Sequence, residues 1–272
     1  MKSSKPVRSA IVMILLIAVG ATTAQARTKL DSNWLDREVT IDAAINEWHD
    51  SLTYIDGPDV FVGALNDDRF LYVCIHSRDS DFAFQAMTQG LIIKLDAKGS
   101  DAFQIQFPMG ALESGVRPPA RGAEFDREAA RRKVEQSLDT FLILGPDSGD
   151  RRRIPVDNQH EIEVLADSSG GEFVYELKIP LAQSEAHPFS VNAEPGISLS
   201  FALDTPEIDR EKMGQQMSGG RGGGMGGGMR GGGEGGMAGG GRGGMVGQRP
   251  EMSEPLKVRA KILLALPPSD SP

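Results

Sequence analysis

Val60–Leu65 and Phe70–Ile75 are apolar runs separated only by Asn66-Asp67-Asp68-Arg69. Each run is of strand length and too short for a helix. The gap is too short for the crossover that parallel strands need, so the two predict an antiparallel pair joined by a turn. A third run, Leu91–Leu95, ends in Asp-Ala-Lys-Gly. Whatever follows must add to this core. Phe103, Ile105 and Phe107 alternate with Gln104 and Gln106, the pattern of a strand with one buried and one solvated face. Period-two alternation returns over 172–179, 197–203 and 256–264, and shorter runs at 38–41, 141–144 and 161–165 predict further strands. Asp167–Gly171 supplies a tight turn, so 161–179 predicts a hairpin. Residues 81–89 predict a short helix bridging the sheets. Residues 123–138 predict a longer inserted helix, with Glu128 four before Arg132 and Arg131 four before Glu135. The fold class is therefore all-β: an antiparallel β-sandwich of about nine strands, jelly-roll or immunoglobulin-like, with one inserted helix.

Two segments carry a family likeness. Val39–Trp48, VTIDAAINEW, followed by Asp67–Asp79, DDRFLYVCIHSRD, resembles the opening of family 9 carbohydrate-binding modules and the related DOMON-like β-sandwiches. Ala43 stands where that motif has glycine. The chain is also similar to uncharacterised exported bacterial proteins with a Gly-rich segment before the last strand. The resemblance implies a non-catalytic binding module for carbohydrate, with calcium as a companion ion.

The first residues read as a leader. Lys2, Lys5 and Arg8 precede the apolar run Ala10–Val19, and Ala24-Gln25-Ala26 is a cleavage signal, which predicts a mature chain from Arg27 and a periplasmic or extracellular location. No cysteine stands at the cut, which excludes a lipoprotein anchor there. Taking 26 from 272 residues leaves 246, enough for one large core. With three cations gone, 26 Lys and Arg face 38 Asp and Glu, a net charge of −12. That balance disfavours nucleic acid and anionic membranes as partners and suits neutral or cationic ligands, with a glycan or an envelope protein as candidate partners. Cys74 is the single cysteine, so no internal disulfide forms; inside Phe70–His76 it reads as a small buried apolar residue.

Catalytic patterns do not emerge. His49, His76, His160 and His187 are scattered without ligand spacing, and neither a nucleophile elbow nor H-E-x-x-H occurs. The chain is thus expected not to be an enzyme. Carbohydrate recognition would rely on aromatic rings, which makes Trp34, Trp48, Tyr54 and Tyr72 the candidate ligand-binding residues. Trp48 also has a structural alternative, as a plug at one end of the sandwich. Oxygen-rich turns give Asp79, Asp81 and Asp96 as candidates for calcium, against the ordinary reading that Asp and Asn bond their own backbone in turns.

Residues 214–247 hold 20 glycines in 34 positions, a composition that predicts disorder, within a loop spanning 214–254. Its Arg-Gly-Gly repeats resemble RNA-binding segments, which the charge and the leader oppose. Its methionines suggest a soft copper site, or simple low-complexity expansion. Two further functions follow: an envelope structural or interaction protein that uses this loop, and a DOMON-like haem or redox module. The latter needs an axial pair that His76 alone does not supply.

Overall fold

A computed structural model of the chain describes residues 28–55, 59–97, 101–110, 128, 132, 135–147, 149–206 and 255–269. The leader and the Gly-rich segment lie outside the described residues. The strands are β1 (Thr28–Asp31), β2 (Asn33–Trp34), β3 (Leu52–Ile55), β4 (Val60–Asn66), β5 (Phe70–Ser77), β6 (Ile92–Ala97), β7 (Phe103–Gln106), β8 (Thr140–Leu144), β9 (Arg151–Pro155), β10 (Glu163–Asp167), β11 (Phe173–Pro180), β12 (Ser198–Asp204) and β13 (Lys257–Leu263). They form a seven-stranded sheet, β1-β13-β12-β6-β7-β8-β9, and a six-stranded sheet, β10-β11-β5-β4-β2, with β3 also on β4.

The sheets pack face to face. Ile93, Leu95, Phe201, Leu203, Val258 and Ile262 of one meet Val62, Val73, Ile75, Tyr175 and Leu177 of the other in a single cluster. Each set comes from alternate positions of its strands, as a period of two requires. The chain is therefore a β-sandwich. Among the described residues, all pairings are antiparallel except β1 with β13 and β2 with β4. Those two exceptions share one cause: the N-terminal segment switches sheets. β1 lines the edge of the larger sheet, Ser32 turns the corner, and β2 joins the smaller one. Asn66 pins this corner. Its Oδ1 accepts from Ser32 Oγ and from the Ala265 N–H at 2.8 Å, and its Nδ2 donates to Ala265 O at 3.1 Å.

The helix α1 (Ser80–Gln89) starts at Asp79, whose side chain accepts from the Asp81 N–H at 2.8 Å. It closes one end of the core with Phe82, whose ring meets Phe173 edge-on, centroids 5.4 Å apart. Of the expected second helix, Glu128, Arg132, Glu135 and Gln136 are helical, and Arg132 pairs with Glu128 at 3.5 Å; the rest of 123–138 up to 134 lies outside the described residues.

Three differences from the sequence reading stand out. Glu38–Ile41 is not a strand: Val39 and Ile41 lie as irregular chain on the outer surface of the smaller sheet. Residues 28–34, where no strand was expected, form β1 and β2. β3 and β9 also went unread, and the described strands number thirteen, not about nine. β9 is Arg-Arg-Arg-Ile-Pro, an edge strand whose single buried residue, Ile154, opposite Phe141, leaves no alternation to detect.

Candidate functional site

A sandwich has two outer faces, and here they have different fates. On the smaller sheet, β4, β5 and β11 send Leu65, Phe70, Tyr72, Cys74 and Val174 outward. The chain covers them itself: Leu35, Val39, Ile41, Ile45 and Trp48 pack on top as a second, smaller core. Trp48 is 0% exposed. It lies over Gly63, where a Cβ would come within 3.0 Å of its ring, so glycine in mid-strand makes room for the indole. Its Nε1 donates to Glu176 Oε1 at 2.6 Å, and the N–H groups of Asp42 and Ala43 donate to Glu176 Oε2 at 2.8 and 2.5 Å. Ala43, at φ 60°, takes the left-handed conformation that glycine would hold without strain. Burial pushes the Glu176 carboxyl above its ordinary value, against these hydrogen bonds, which pull it down.

This geometry sorts the aromatic candidates. Trp48 is a buried staple and offers no ring face to a sugar. Tyr72 is buried as well, and burial, helped by the Asp67 and Glu163 carboxylates, pushes its hydroxyl up to about 12. Trp34 is half-buried in β2. Tyr54 is 47% exposed and heads a row across the same sheet: its ring stands 5.2 Å from Phe61, which stands 5.9 Å from His76. His76 Nε2 lies 2.8 Å from Glu172, and Arg78 pairs with the same carboxylate at 3.0 Å. These two contacts, His76 first, hold the Glu172 carboxyl below its usual range. The four aromatics are therefore not gathered at one place.

Among the described residues, the larger sheet leaves its outer face open over β6, β12 and β13, whereas over β7 and β8 Met109 and Arg151 close on the buried Gln106 and Leu142. Strand register lays β12 between β6 and β13. Lys94 and Asp96 of β6, Gln104 of β7, Ser200 and Asp204 of β12 and Arg259 of β13 thereby line one open groove of about 370 Å³. Phe201 and Ala260 contribute only backbone-level floor, since their side chains point into the core. Arg259 Nη1 donates to Asp204 Oδ1 at 2.6 Å, and this pair fixes one end. Ala202, between Lys94 and Arg259, is the small residue that opens the floor. The groove presents amide, hydroxyl, carboxylate and cationic groups side by side, donors and acceptors within reach of one polyhydroxylated or charged molecule.

The calcium candidates are dispersed. Asp79 caps α1, Asp81 lies exposed in its first turn, and Asp96 is in the groove. Asp67 Oδ1 accepts from the N–H groups of Arg69 and Phe70 at 2.7 and 2.6 Å, the backbone-directed role of a turn aspartate. Among the described residues, no three His, Cys, Asp or Glu side chains stand close enough to hold an ion. Cys74 is buried under Trp48, and burial pushes its thiol well up.

Sequence reading found Asp96 but not its neighbours in the groove. Gln104, Ser200 and Arg259 are the polar phase of the alternating strands, visible in sequence as solvated faces. What it lacked was the strand order that puts β6, β12 and β13 side by side.

No protein-family model matches the chain, and no curated protein sequence does. Among solved structures, it is similar to a family 9 carbohydrate-binding module from Caldicellulosiruptor kristjanssonii in complex with glucose. The TM-score is 0.35 and the identity 11%, covering 68% of this chain and 81% of that one. The same module in complex with cellotriose gives a TM-score of 0.33 and 12% identity, covering 68% and 79%. The sandwich assignment rests on the strand register and the shared core. No helix among the described residues is long and apolar enough to cross a membrane.

Proposed function

We propose that the protein is an exported, non-catalytic binding module whose ligand is a carbohydrate, held on the open face of the seven-stranded sheet. One observation carries this reading: residues 35–48 cover the middle of one outer face, and on the other β6, β7, β12 and β13 line a polar groove of about 370 Å³. A groove of this size suits one or two sugar rings. Lys94, Gln104 and Arg259 can donate to ring hydroxyls, and Asp96 and Asp204 can accept from them. Rigid strands hold these side chains, so little order has to be gained on binding. The leader-like residues 1–26 support export.

Tyr54 is a second ligand candidate, since its exposed ring heads the row with Phe61 and His76. The test is a glycan array followed by calorimetry on three variants of the full chain. Asp96→Ala and Gln104→Ala should each weaken glycan binding about tenfold, the loss of about one charge-assisted or neutral hydrogen bond, with no change in melting temperature. Tyr54→Ala should leave affinity unchanged. Loss only in Tyr54→Ala would move the site to the aromatic row. Absence of binding to any glycan would remove the carbohydrate reading.

A further inference from the structure

The open face has a charge that the whole chain does not. With 29 Lys and Arg against 38 Asp and Glu the protein is acidic, net −9. On the outward positions of the seven-stranded sheet the balance reverses. β13 presents Lys257, Arg259 and Lys261 in succession, each exposed, with Val258, Ala260 and Ile262 between them turned into the core. Register puts Lys29 of β1 beside Lys261, and Lys94 of β6 across β12 from Arg259. Arg153 of β9 faces the same way, but the buried Leu142 and Gln106 separate it from this patch. Against these stand Asp31, Asp96 and Asp204, and Asp204 is occupied by Arg259. Lys29, Lys94, Arg153, Lys257 and Lys261 form no ion pair among the described residues.

Geometry makes this a ladder and not a point. Successive outward residues on a strand are about 6.8 Å apart, so Lys257 to Lys261 spans about 14 Å, and the neighbouring strand lies about 4.8 Å away. A single small anion would meet one or two of these cations. A linear polymer with an anionic group on successive units would meet several at once. The net negative charge, which disfavours anionic partners for the chain as a whole, acts weakly at this face. At physiological ionic strength the screening length is about 8 Å, so acids on the opposite sheet contribute little at the ladder, whereas contacts made there act nearly unscreened. Among the described lining residues, the one aromatic, Phe201, turns its ring into the core and offers no stacking face to an uncharged sugar.

We propose that the ligand is an acidic polysaccharide, a chain of carboxylated sugar units laid along β13 with its hydroxyls in the Lys94–Asp96–Gln104 groove. This rests on the carbohydrate reading and narrows it to a charge class. Carboxylate groups would meet Lys257, Lys261 and Lys29, while the Arg259–Asp204 pair and Ser200 supply donors and acceptors to the ring hydroxyls between them.

The experiment compares full-chain binding to polygalacturonate, to the same polymer fully methyl-esterified, and to poly-L-glutamate, by calorimetry at low and high salt. The expected result is binding to polygalacturonate at least tenfold tighter than to its ester or to poly-L-glutamate, and at least tenfold weaker at high salt. In Lys257→Gln/Lys261→Gln that preference should shrink about tenfold with an unchanged thermal melt, since both side chains are exposed. Equal, salt-insensitive binding to the acid and its ester would overturn the acidic-ligand inference and leave the carbohydrate reading standing. Equal binding to poly-L-glutamate would overturn it too, making the face a general polyanion surface. Binding to none of the three, with a neutral glycan bound elsewhere on the array, rejects only the inference; binding to no glycan at all rejects both.

Discussion

At the residue scale, Glu176 shows how one buried carboxylate organises a surface. It is a charged residue at zero exposure, which is costly unless its acceptors are filled. Here they are filled by one indole N–H and two backbone N–H groups, all from residues 42–48. Glu176→Gln would keep an acceptor for Trp48 but turn an amide NH2 toward the two backbone donors. The expected cost is about 1–3 kcal/mol, the penalty for buried groups left unpaired, read as a lower melting temperature and a red-shifted Trp48 emission. Protonation gives a second reading. Burial raises the Glu176 pKa above its unfolded value, about 4.3. Its contribution to stability is therefore full below the unfolded value and is lost as pH rises through the folded one. The stability gap between wild type and Glu176→Gln should widen as pH falls through that window. A gap that narrows would mean that the three donors favour the anion more strongly than burial opposes it. None of this was legible in sequence. Val174, Glu176 and Lys178 read as the solvated phase of a half-buried strand, and nothing in the pattern says that the arm will come to lie on that face.

At the element scale, legibility followed alternation. β4, β5, β11, β12 and β13 all appear within one or two residues of their expected bounds, the first two because they are apolar runs of strand length flanking a turn and the last three because they alternate over a strand long enough to be seen. The segments missed are held by position and not by pattern. β2 is two residues long and exists because Asn33 and Trp34 run beside Leu65 and Asn66. Val39 and Ile41, with apolar spacing of a strand, instead found a sheet face and not a sheet edge. The switch of the chain between sheets at Ser32 depends on Asn66, whose side chain bonds Ser32, Asp67 and Ala265 in full burial. Asn66→Ala should therefore act on elements and not evenly. It removes the donor to the Ala265 carbonyl and leaves the Ala265 N–H only its longer contact with Ser32 Oγ at 3.3 Å, at about 1–3 kcal/mol for an unsatisfied group. Hydrogen exchange should quicken first in β1 and at Ala265, while β5 and β11 keep their protection. Uniform loss of protection would mean that the corner is not a separate unit.

At the scale of the molecule, the larger sheet is completed by the end of the chain. β13 lies between β12 and β1, and β1 has no other strand partner among the described residues, so the sheet depends on residues that follow the Gly-rich segment. The two ends of that segment are adjacent. Asp204 pairs with Lys257, the Thr205 N–H donates to Leu256 O at 3.3 Å, and the Leu256 N–H donates to Thr205 Oγ1 at 3.0 Å. A short turn can therefore bridge them. Replacing the 48 residues from 207 to 254 with about six halves the connection three times, and each halving of a flexible connection saves about 0.6 kcal/mol of closure entropy. The melting temperature should stay level or rise by a few degrees. Ending the chain at Pro206 has the opposite consequence. It strips Val258, Ile262 and Leu264 from the core, each contributing about 1.5–3 kcal/mol by burial, frees β1, and leaves β12 as a bare edge open to pairing with other chains. That variant should unfold or aggregate, and circular dichroism with size exclusion would read the difference. A Pro206 truncation that melts cooperatively as a monomer would show that β13 is dispensable. A shortened loop that prevents folding would show that residues 207–254 do more than join two strands. The open groove depends on the same arrangement, because Arg259 and the cationic ladder arrive with β13; the loop-shortened protein should keep its ligand affinity, and the truncated one should lose it even where some fold remains.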